Sequence, residues 1–224
     1  MALGGGGFSQ DPGDPRLDAY ILALARKERP RVCFVGTASG DAPTYSQSFF
    51  RAFARHHDAV ADELALFERD DRDLRERVVA QDVIYVGGGN TANLLAVWRV
   101  HGLDALLRDA LDAGAVLCGI SAGMNCWFQC SSTDSFGPDL APLHDGLGFV
   151  AGSACPHYDA EPKRRPHYRA LVDAGFPGGY AADEGAALRF TAAGELVECV
   201  AARPGATAYR VEPGSEVALE TREL

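Results

Sequence analysis

Gly119-Ile120-Ser121-Ala122-Gly123 constrains this chain more than any other segment, because of where it stands. It follows the apolar run Ala115-Val116-Leu117-Cys118 and precedes a helix-compatible stretch from Met124 to Phe128. A G-x-S-x-G pentapeptide between a buried strand and a helix is the pattern of a nucleophile elbow. The glycines permit a sharp turn and close packing, so the serine hydroxyl stands at the carboxyl end of the strand. The helix that follows aims its positive N-terminus, and the free N–H of Ala122, at any oxyanion formed there. An ordinary strand–turn–helix junction can use the same five residues, so the surrounding sequence has to carry the decision.

That surrounding sequence alternates strand and helix signals, which implies a parallel sheet covered by helices. Leu17, Tyr20, Ile21 and Leu24 recur at helical spacing after Pro15. Arg31 to Gly36 reads as a buried strand, and Thr44 is the candidate cap of a helix carrying Phe49, Phe50 and Phe53. Val83 to Val86 reads as the next strand, followed by Gly87-Gly88-Gly89-Asn90-Thr91 and a helix with Leu94, Leu95, Val97 and Trp98. Gly102 breaks that helix, and Leu103, Leu106, Leu107 and Leu111 form a second apolar set before Gly114. Residues 129 to 163 are rich in Gly, Ser, Pro and Asp, with one apolar stretch, Leu147 to Val150, and read as long functional loops or as an element the pattern disguises. A helix is expected from Pro166 to about Ala174, then short antiparallel strands at 186–190, 196–200, 208–211 and 217–219. No linker or repeat interrupts the chain, so residues 1–224 are expected to form a single domain.

Composition narrows the partners. With 224 residues, 47% of them hydrophobic, the chain can bury a full core. Its net charge of -10 and lack of a basic stripe argue against nucleic acid or an anionic membrane surface. No apolar run reaches the roughly 20 residues that span a bilayer. Met1-Ala2-Leu3 and four glycines make neither the basic nor the hydrophobic region of a signal peptide. Six scattered cysteines (33, 118, 126, 130, 155 and 199) suit free thiols in a reducing cytoplasm. Cys126-x-x-x-Cys130 lacks a second Cys/His pair at ligand spacing, so no metal is expected.

A serine nucleophile needs a base, and a histidine base needs an orienting acceptor. His56, His57 and His101 suit surface roles near helix ends, whereas His144 and His157 lie in the loop-rich stretch. His157 stands after Pro156 in Cys-Pro-His-Tyr-Asp, downstream of the elbow, and is the better base. Spacing leaves the acid open: Asp134, Asp139 or Asp145 if the acid precedes the histidine, Asp183 or Glu184 if it follows. Gly87-Gly88-Gly89-Asn90 lacks the G-x-G-x-x-G spacing and the lysine of a phosphate loop. Beside an elbow, such glycines suit an oxyanion hole, so no nucleotide or other cofactor is implied.

Taken together, these segments resemble the peptidase E family, the aspartyl dipeptidases, which are serine peptidases. The resemblance runs through Gly4 to Phe8, Gly36 to Gly40, Asp82 to Thr91, Gly119 to Phe128, Thr133 to Gly137, Asp145 to Gly148, Cys155 to Asp159 and Arg164-Arg165-Pro166. It implies an α/β three-layer sandwich with a mainly parallel central sheet, related to glutamine amidotransferase-like domains, with short antiparallel strands in the C-terminal part. It implies Ser121 as nucleophile, His157 as base and Glu184 as acid, with Gly89 and Ala122 as the oxyanion hole. Asn90 and Arg164 fall near the acidic side chain of the substrate. The resemblance thus points to a cytoplasmic exopeptidase acting on a small peptide, a dipeptide with N-terminal aspartate, without metal or cofactor; a homodimer stays open. The rival enzyme is a cyanophycinase-like β-aspartyl peptidase or other acyl hydrolase. The rival outside catalysis is a ligand-binding domain on a degenerate amidotransferase-like scaffold.

Overall fold

The computed structural model describes residues 1–224, and its first element is one that pattern reading passes over. β1 (Ala2–Leu3) is only two residues long, yet it lies in the middle of an eight-stranded sheet. After it come α1 (Gly7–Gln10), α2 (Arg16–Leu24), β2 (Arg31–Val35), a 3-10 turn at Thr37–Ser39 and α3 (Pro43–His56). β3 (Val60–Glu63), α4 (Leu74–Val79), β4 (Val83–Val86), α5 (Thr91–His101) and α6 (Leu103–Asp112) follow, then β5 (Val116–Ile120) and α7 (Ala122–Asn125). The second half holds β6 (Phe128–Thr133), β7 (Ala141–Leu143), β8 (Val150–Cys155), α8 (Arg164–Asp173) and β9 (Gly179–Ala182). It ends with β10 (Ala186–Phe190), β11 (Leu196–Ala201), β12 (Ala208–Glu212), β13 (Ser215–Ala218) and β14 (Thr221–Glu223).

The larger sheet runs β14-β11-β10-β1-β5-β4-β2-β3, and β1, β5, β4, β2 and β3 are mutually parallel. Its central strands β1, β5 and β4 carry no charged residue because both faces are covered. Val32, Phe34, Val83, Tyr85, Cys118 and Ile120 pack with Phe8, Leu17, Ile21, Phe49 and Phe53 of α1, α2 and α3. The alternate residues Cys33, Val35, Ile84, Val86 and Leu117 pack with Leu94, Trp98, Leu103 and Leu107 of α5 and α6. Each such side chain, fully buried, contributes about 1.5–3 kcal/mol of hydrophobic stabilisation. The α/β three-layer sandwich is therefore present. Gly102, left-handed at φ 69°, ends α5 and starts α6, where a Cβ would be strained.

Four local expectations need correction. Residues 129–163 are not loops alone: β6, β7 and β8 join β9, β12 and β13 in a second, six-stranded sheet, β13-β12-β9-β8-β6-β7. One face of this sheet meets the main sheet through Phe128, Ala154, Ala182 and Ala208, and α8 covers the other through Tyr168 and Val172. The apolar signal is weak because Ser131, Ser132, Thr133 and Ser153 occupy buried positions. The helix after the elbow stops at Asn125, and Phe128 already belongs to a strand. Thr44 caps nothing: Ala42 is the N-cap of α3 and Pro43 its first residue, where a missing N–H costs nothing. α8 begins at Arg164, two residues before Pro166. No helix is long and apolar enough to cross a membrane.

Candidate active site

The elbow is strained, and the strain has visible supports. Ser121 takes φ 56°, ψ -107°, outside the regions open to a residue with a Cβ. Such a conformation costs on the order of 1–3 kcal/mol and persists only where neighbours over-determine it. Its N–H donates to Leu3 O at 3.1 Å, and its carbonyl accepts from Met124 N at 2.8 Å and Asn125 N at 2.9 Å. The two flanking glycines are needed for space. A Cβ on Gly119 would lie 2.4 Å from Gly123 O, and one on Gly123 would lie 2.4 Å from Val86 O. Backbone oxygens cannot move aside as side chains can.

Three consecutive carbonyls at the end of β1 then gather the chemistry. Leu3 O holds Ser121 N, Gly4 O accepts from His157 N at 2.9 Å, and Gly5 O accepts from Gly185 N at 3.2 Å. His157 is itself left-handed, at φ 53°. Its Nδ1 lies 2.9 Å from Glu184 Oε1, and its side chain is largely buried. Glu184 is seated from several sides. Its N–H donates to Asp159 Oδ1 at 2.9 Å, its carbonyl accepts from Arg203 Nε at 2.8 Å, and Gln10 Nε2 donates to Oε1 at 3.0 Å. Arg203 also pairs with Asp159. No hydrogen bond runs from Ser121 Oγ to His157, and such contacts often tighten only when substrate is bound.

Of the other acids left open by spacing, Asp139 is exposed and the remaining three have partners elsewhere. Asp183 Oδ2 accepts from Thr207 N at 3.1 Å, and burial raises the pKa of its carboxyl. Asp134 pairs with Arg164 and Asp145 with Arg99. His144 is exposed, with its ring against Phe176. Cys118 and Cys126, which flank the elbow, are fully buried, and burial pushes both thiols up, so neither supplies a thiolate at neutral pH.

Gly89 and Ala122 sit with N–H groups that have no acceptor in the protein. Ala122 is the first residue of α7, where helical geometry leaves the donor free. Gly89 takes φ 135° against the 3-10 turn, and a Cβ there would lie 2.2 Å from Ala38 O. The Gly36–Gly40 segment thus serves as the shelf beneath the glycine turn.

Asn90 and Arg164 are more committed than their sequence positions suggest. Asn90 Oδ1 caps α5 by accepting from Asn93 N at 2.8 Å, and its Nδ2 donates to Ser135 O at 2.9 Å. Ser135 Oγ accepts from Thr91 N and Ala92 N, which clamps the β6–β7 connection onto the head of α5. Arg164 is 3% exposed, with Nε 2.9 Å from Glu161 Oε2 and Nη2 3.5 Å from Asp134 Oδ2. Sequence reading missed the carbonyls of Leu3, Gly4 and Gly5, the side chain of Gln10, and the Asp159–Arg203 pair. The only available signal was the run Gly4 to Gly7, where main chain has to pass close to other main chain.

Comparison with known proteins shows the family and the fold. The profile described as peptidase family S51 matches residues 1–196. The chain is 51% identical over 212 residues to "Uncharacterized peptidase YgaJ" of Bacillus subtilis strain 168, covering 94% of this chain and 90% of that protein. It is 33% identical over 134 residues to "Peptidase E" of Streptomyces coelicolor, covering 59% of this chain and 53% of that protein. Its fold is similar to the crystal structure of a peptidase from an acI-B1 Actinobacterium, with a TM-score of 0.69, 15% identity, and coverage of 98% of this chain and 92% of the other. The chain belongs to peptidase family S51 and is a serine-type peptidase.

Proposed function

We propose that this peptidase is an exopeptidase of short peptides that works through Ser121, His157 and Glu184. The observation that most supports this reading is the run of three carbonyls, Leu3, Gly4 and Gly5, that holds Ser121, His157 and the residue after Glu184. In the proposed sequence His157 Nε2 takes the proton as Ser121 Oγ bonds to the substrate carbonyl carbon. Glu184 at Nδ1 holds the ring and stabilises its charged form. The Gly89 and Ala122 N–H groups receive the oxyanion. The imidazolium returns the proton to the leaving amine, and water repeats the sequence on the acyl-enzyme.

The substrate proposed is a dipeptide with N-terminal aspartate. Arg164 supports it, being the one arginine among the buried residues. A desolvated guanidinium favours a carboxylate in fork geometry. Asp134, 3.5 Å away and 55% exposed, is the weaker of its two partners, so a substrate carboxylate would take that place while Glu161 stays. Six unpaired, buried cysteines support a reducing, cytoplasmic setting. The test is a panel of Asp-Xaa, β-Asp-Xaa, Glu-Xaa and Ala-Xaa dipeptides scored by release of free amine, with Ser121→Ala as control. Preference for β-Asp-Xaa would transfer the chain to the cyanophycinase-like reading. Turnover of longer peptides only would end the exopeptidase proposal.

A further inference from the structure

We propose that Tyr45 is the positioning residue of the oxyanion hole: its hydroxyl holds the Gly87–Gly89 turn so that the Gly89 N–H alone faces substrate. This inference rests on the reading of Ser121 and Gly89 given above. Along residues 87–90 every N–H but one has an acceptor. Gly87 N donates to Val35 O at 3.0 Å, Gly88 N to Tyr45 Oη at 3.1 Å and Asn90 N to Ala38 O at 2.8 Å. Gly89 N is the remaining donor. Two of the three acceptors are main-chain carbonyls of neighbouring strand and turn, and only Tyr45 is a side chain.

The location suits the role. A Cβ on Gly88 would lie 3.5 Å from Ser121 Cβ and 3.9 Å from Tyr45 Oη, so hydroxyl, turn and nucleophile share one small region. The ring of Tyr45, on the first turn of α3, packs at centroid distances of 5.6 Å from Phe8 and 5.0 Å from Phe34. Packing therefore restricts where the hydroxyl can go. That hydroxyl donates its own proton to Ser9 Oγ at 2.9 Å, which leaves its lone pairs for Gly88. Burial raises the pKa of the phenol, so it stays a neutral donor across the neutral range. Ser9 lies just beyond the glycine loop whose carbonyls hold His157 and Gly185. One hydroxyl thus ties the oxyanion turn to the segment that sets the base and the acid. Without it, three successive glycines would have an unpaired donor at Gly88 and freedom to rotate, so the donor facing substrate would no longer be defined.

A fluorophosphonate probe tests this without knowledge of the preferred peptide. Ser121 Oγ bonds to phosphorus, fluoride leaves, His157 takes the hydroxyl proton, and the phosphoryl oxygen occupies the oxyanion position. Loss of a whole oxyanion donor costs about 10²–10³ in rate, so Tyr45→Phe should slow labelling by roughly 10- to 100-fold. The midpoint of the pH–rate profile should stay at the wild-type value, because His157 and Glu184 are untouched. Ser9→Ala, which keeps the ring but removes the proton acceptor, should slow labelling by about 2- to 5-fold, the loss of part of one hydrogen bond. Phe49→Leu, which loosens the same aromatic packing but keeps the Tyr45 hydroxyl and its hydrogen bonds, should slow labelling far less than Tyr45→Phe, by about 2-fold at most while folded. Labelling of Tyr45→Phe at the wild-type rate, or equal slowing in Phe49→Leu, overturns the proposal and leaves the nucleophile assignment standing. If Tyr45→Phe does not fold, wild-type labelling of Ser9→Ala overturns it instead. If wild type itself is not labelled at Ser121, the nucleophile assignment fails and this inference with it.

Discussion

His157 and Ser121 hang from adjacent carbonyls, Gly4 O and Leu3 O, at the end of a two-residue strand. The two residues therefore share one rigid support in the middle of the sheet, although 36 positions separate them in the chain. Glu184 is tied to the next carbonyl, Gly5 O, through its neighbour Gly185. Displacing this short segment would move all three groups together, which makes its glycines as consequential as the elbow itself.

Ser121→Ala should abolish turnover by about 10⁴-fold or more while leaving the melting temperature near that of wild type. Cysteine alkylation of the native protein should leave activity intact, because Cys118 and Cys126 are buried. Alkylation that stops turnover where Ser121→Ala does not would make a thiol the nucleophile.

Glu184→Gln should lower kcat by roughly 10²- to 10⁴-fold, since a neutral amide no longer stabilises the imidazolium or its tautomer. Asp183→Asn and Asp134→Asn should leave kcat within about fivefold, as their carboxylates bond to Thr207 and Arg164 and not to the base. Steady-state kinetics on the three variants decides; a crippled Asp134→Asn with an active Glu184→Gln would place the acid upstream.

Arg164→Ala should cut kcat/KM for Asp-Xaa substrates by about 30- to 1000-fold and for Ala-Xaa far less. Asp134→Asn removes a competing carboxylate 3.5 Å from Arg164 and should raise kcat/KM for Asp-Xaa by up to about fivefold, the worth of a half-exposed ion pair. Equal losses on both substrate classes in Arg164→Ala would detach this residue from specificity.

A Cβ on Gly5 would meet two side chains first, Gln10 Oε1 at 2.5 Å and Glu184 Cγ at 2.8 Å, with main chain no nearer than Glu184 Cα at 3.3 Å, whereas one on Gly123 would meet Val86 O at 2.4 Å. Gly5→Ala should therefore fold but lose kcat by about 10-fold or more as Glu184 is pushed off His157. Gly123→Ala should lose about 2 kcal/mol or more of stability. Thermal denaturation alongside kinetics separates the two.

Stability should also carry the signature of Asp18, a buried carboxyl that accepts from Tyr85 Oη at 2.9 Å. Burial, outweighing that hydrogen bond, raises its pKa to about 6 from 3.8. The folded state then binds the proton more tightly than the unfolded chain, so this contribution is fully present below pH 3.8 and is lost as pH rises through about 6. Asp18→Asn cannot ionise. Its melting temperature relative to wild type should rise between pH 4 and pH 7, by an amount equivalent to at most about 3 kcal/mol. A pH-independent difference would mean Asp18 stays charged in the fold.

What was legible in the sequence was local. The elbow, the alternation of strand and helix, the glycine turn after β4 and His157 after Pro156 all announce themselves within a few residues, because turn sterics and apolar periodicity act at short range. Tertiary structure decided the rest. Ser131, Ser132, Thr133 and Ser153 line a buried sheet because neighbouring strands cover them, and hydropathy carries no trace of that cover. Asp183 and Glu184 stand in a turn closed by Ala186 N donating to Asp183 O, which sends Asp183 to Thr207 and Glu184 to His157, a choice spacing could not make. Arg164 lies between its near neighbour Glu161 and Asp134, which only folding brings beside it. A two-residue strand has no period to detect, yet the carbonyls at its end hold Ser121, His157 and Gly185 together, because only folding brings residues 3 to 5 beside 121, 157 and 185.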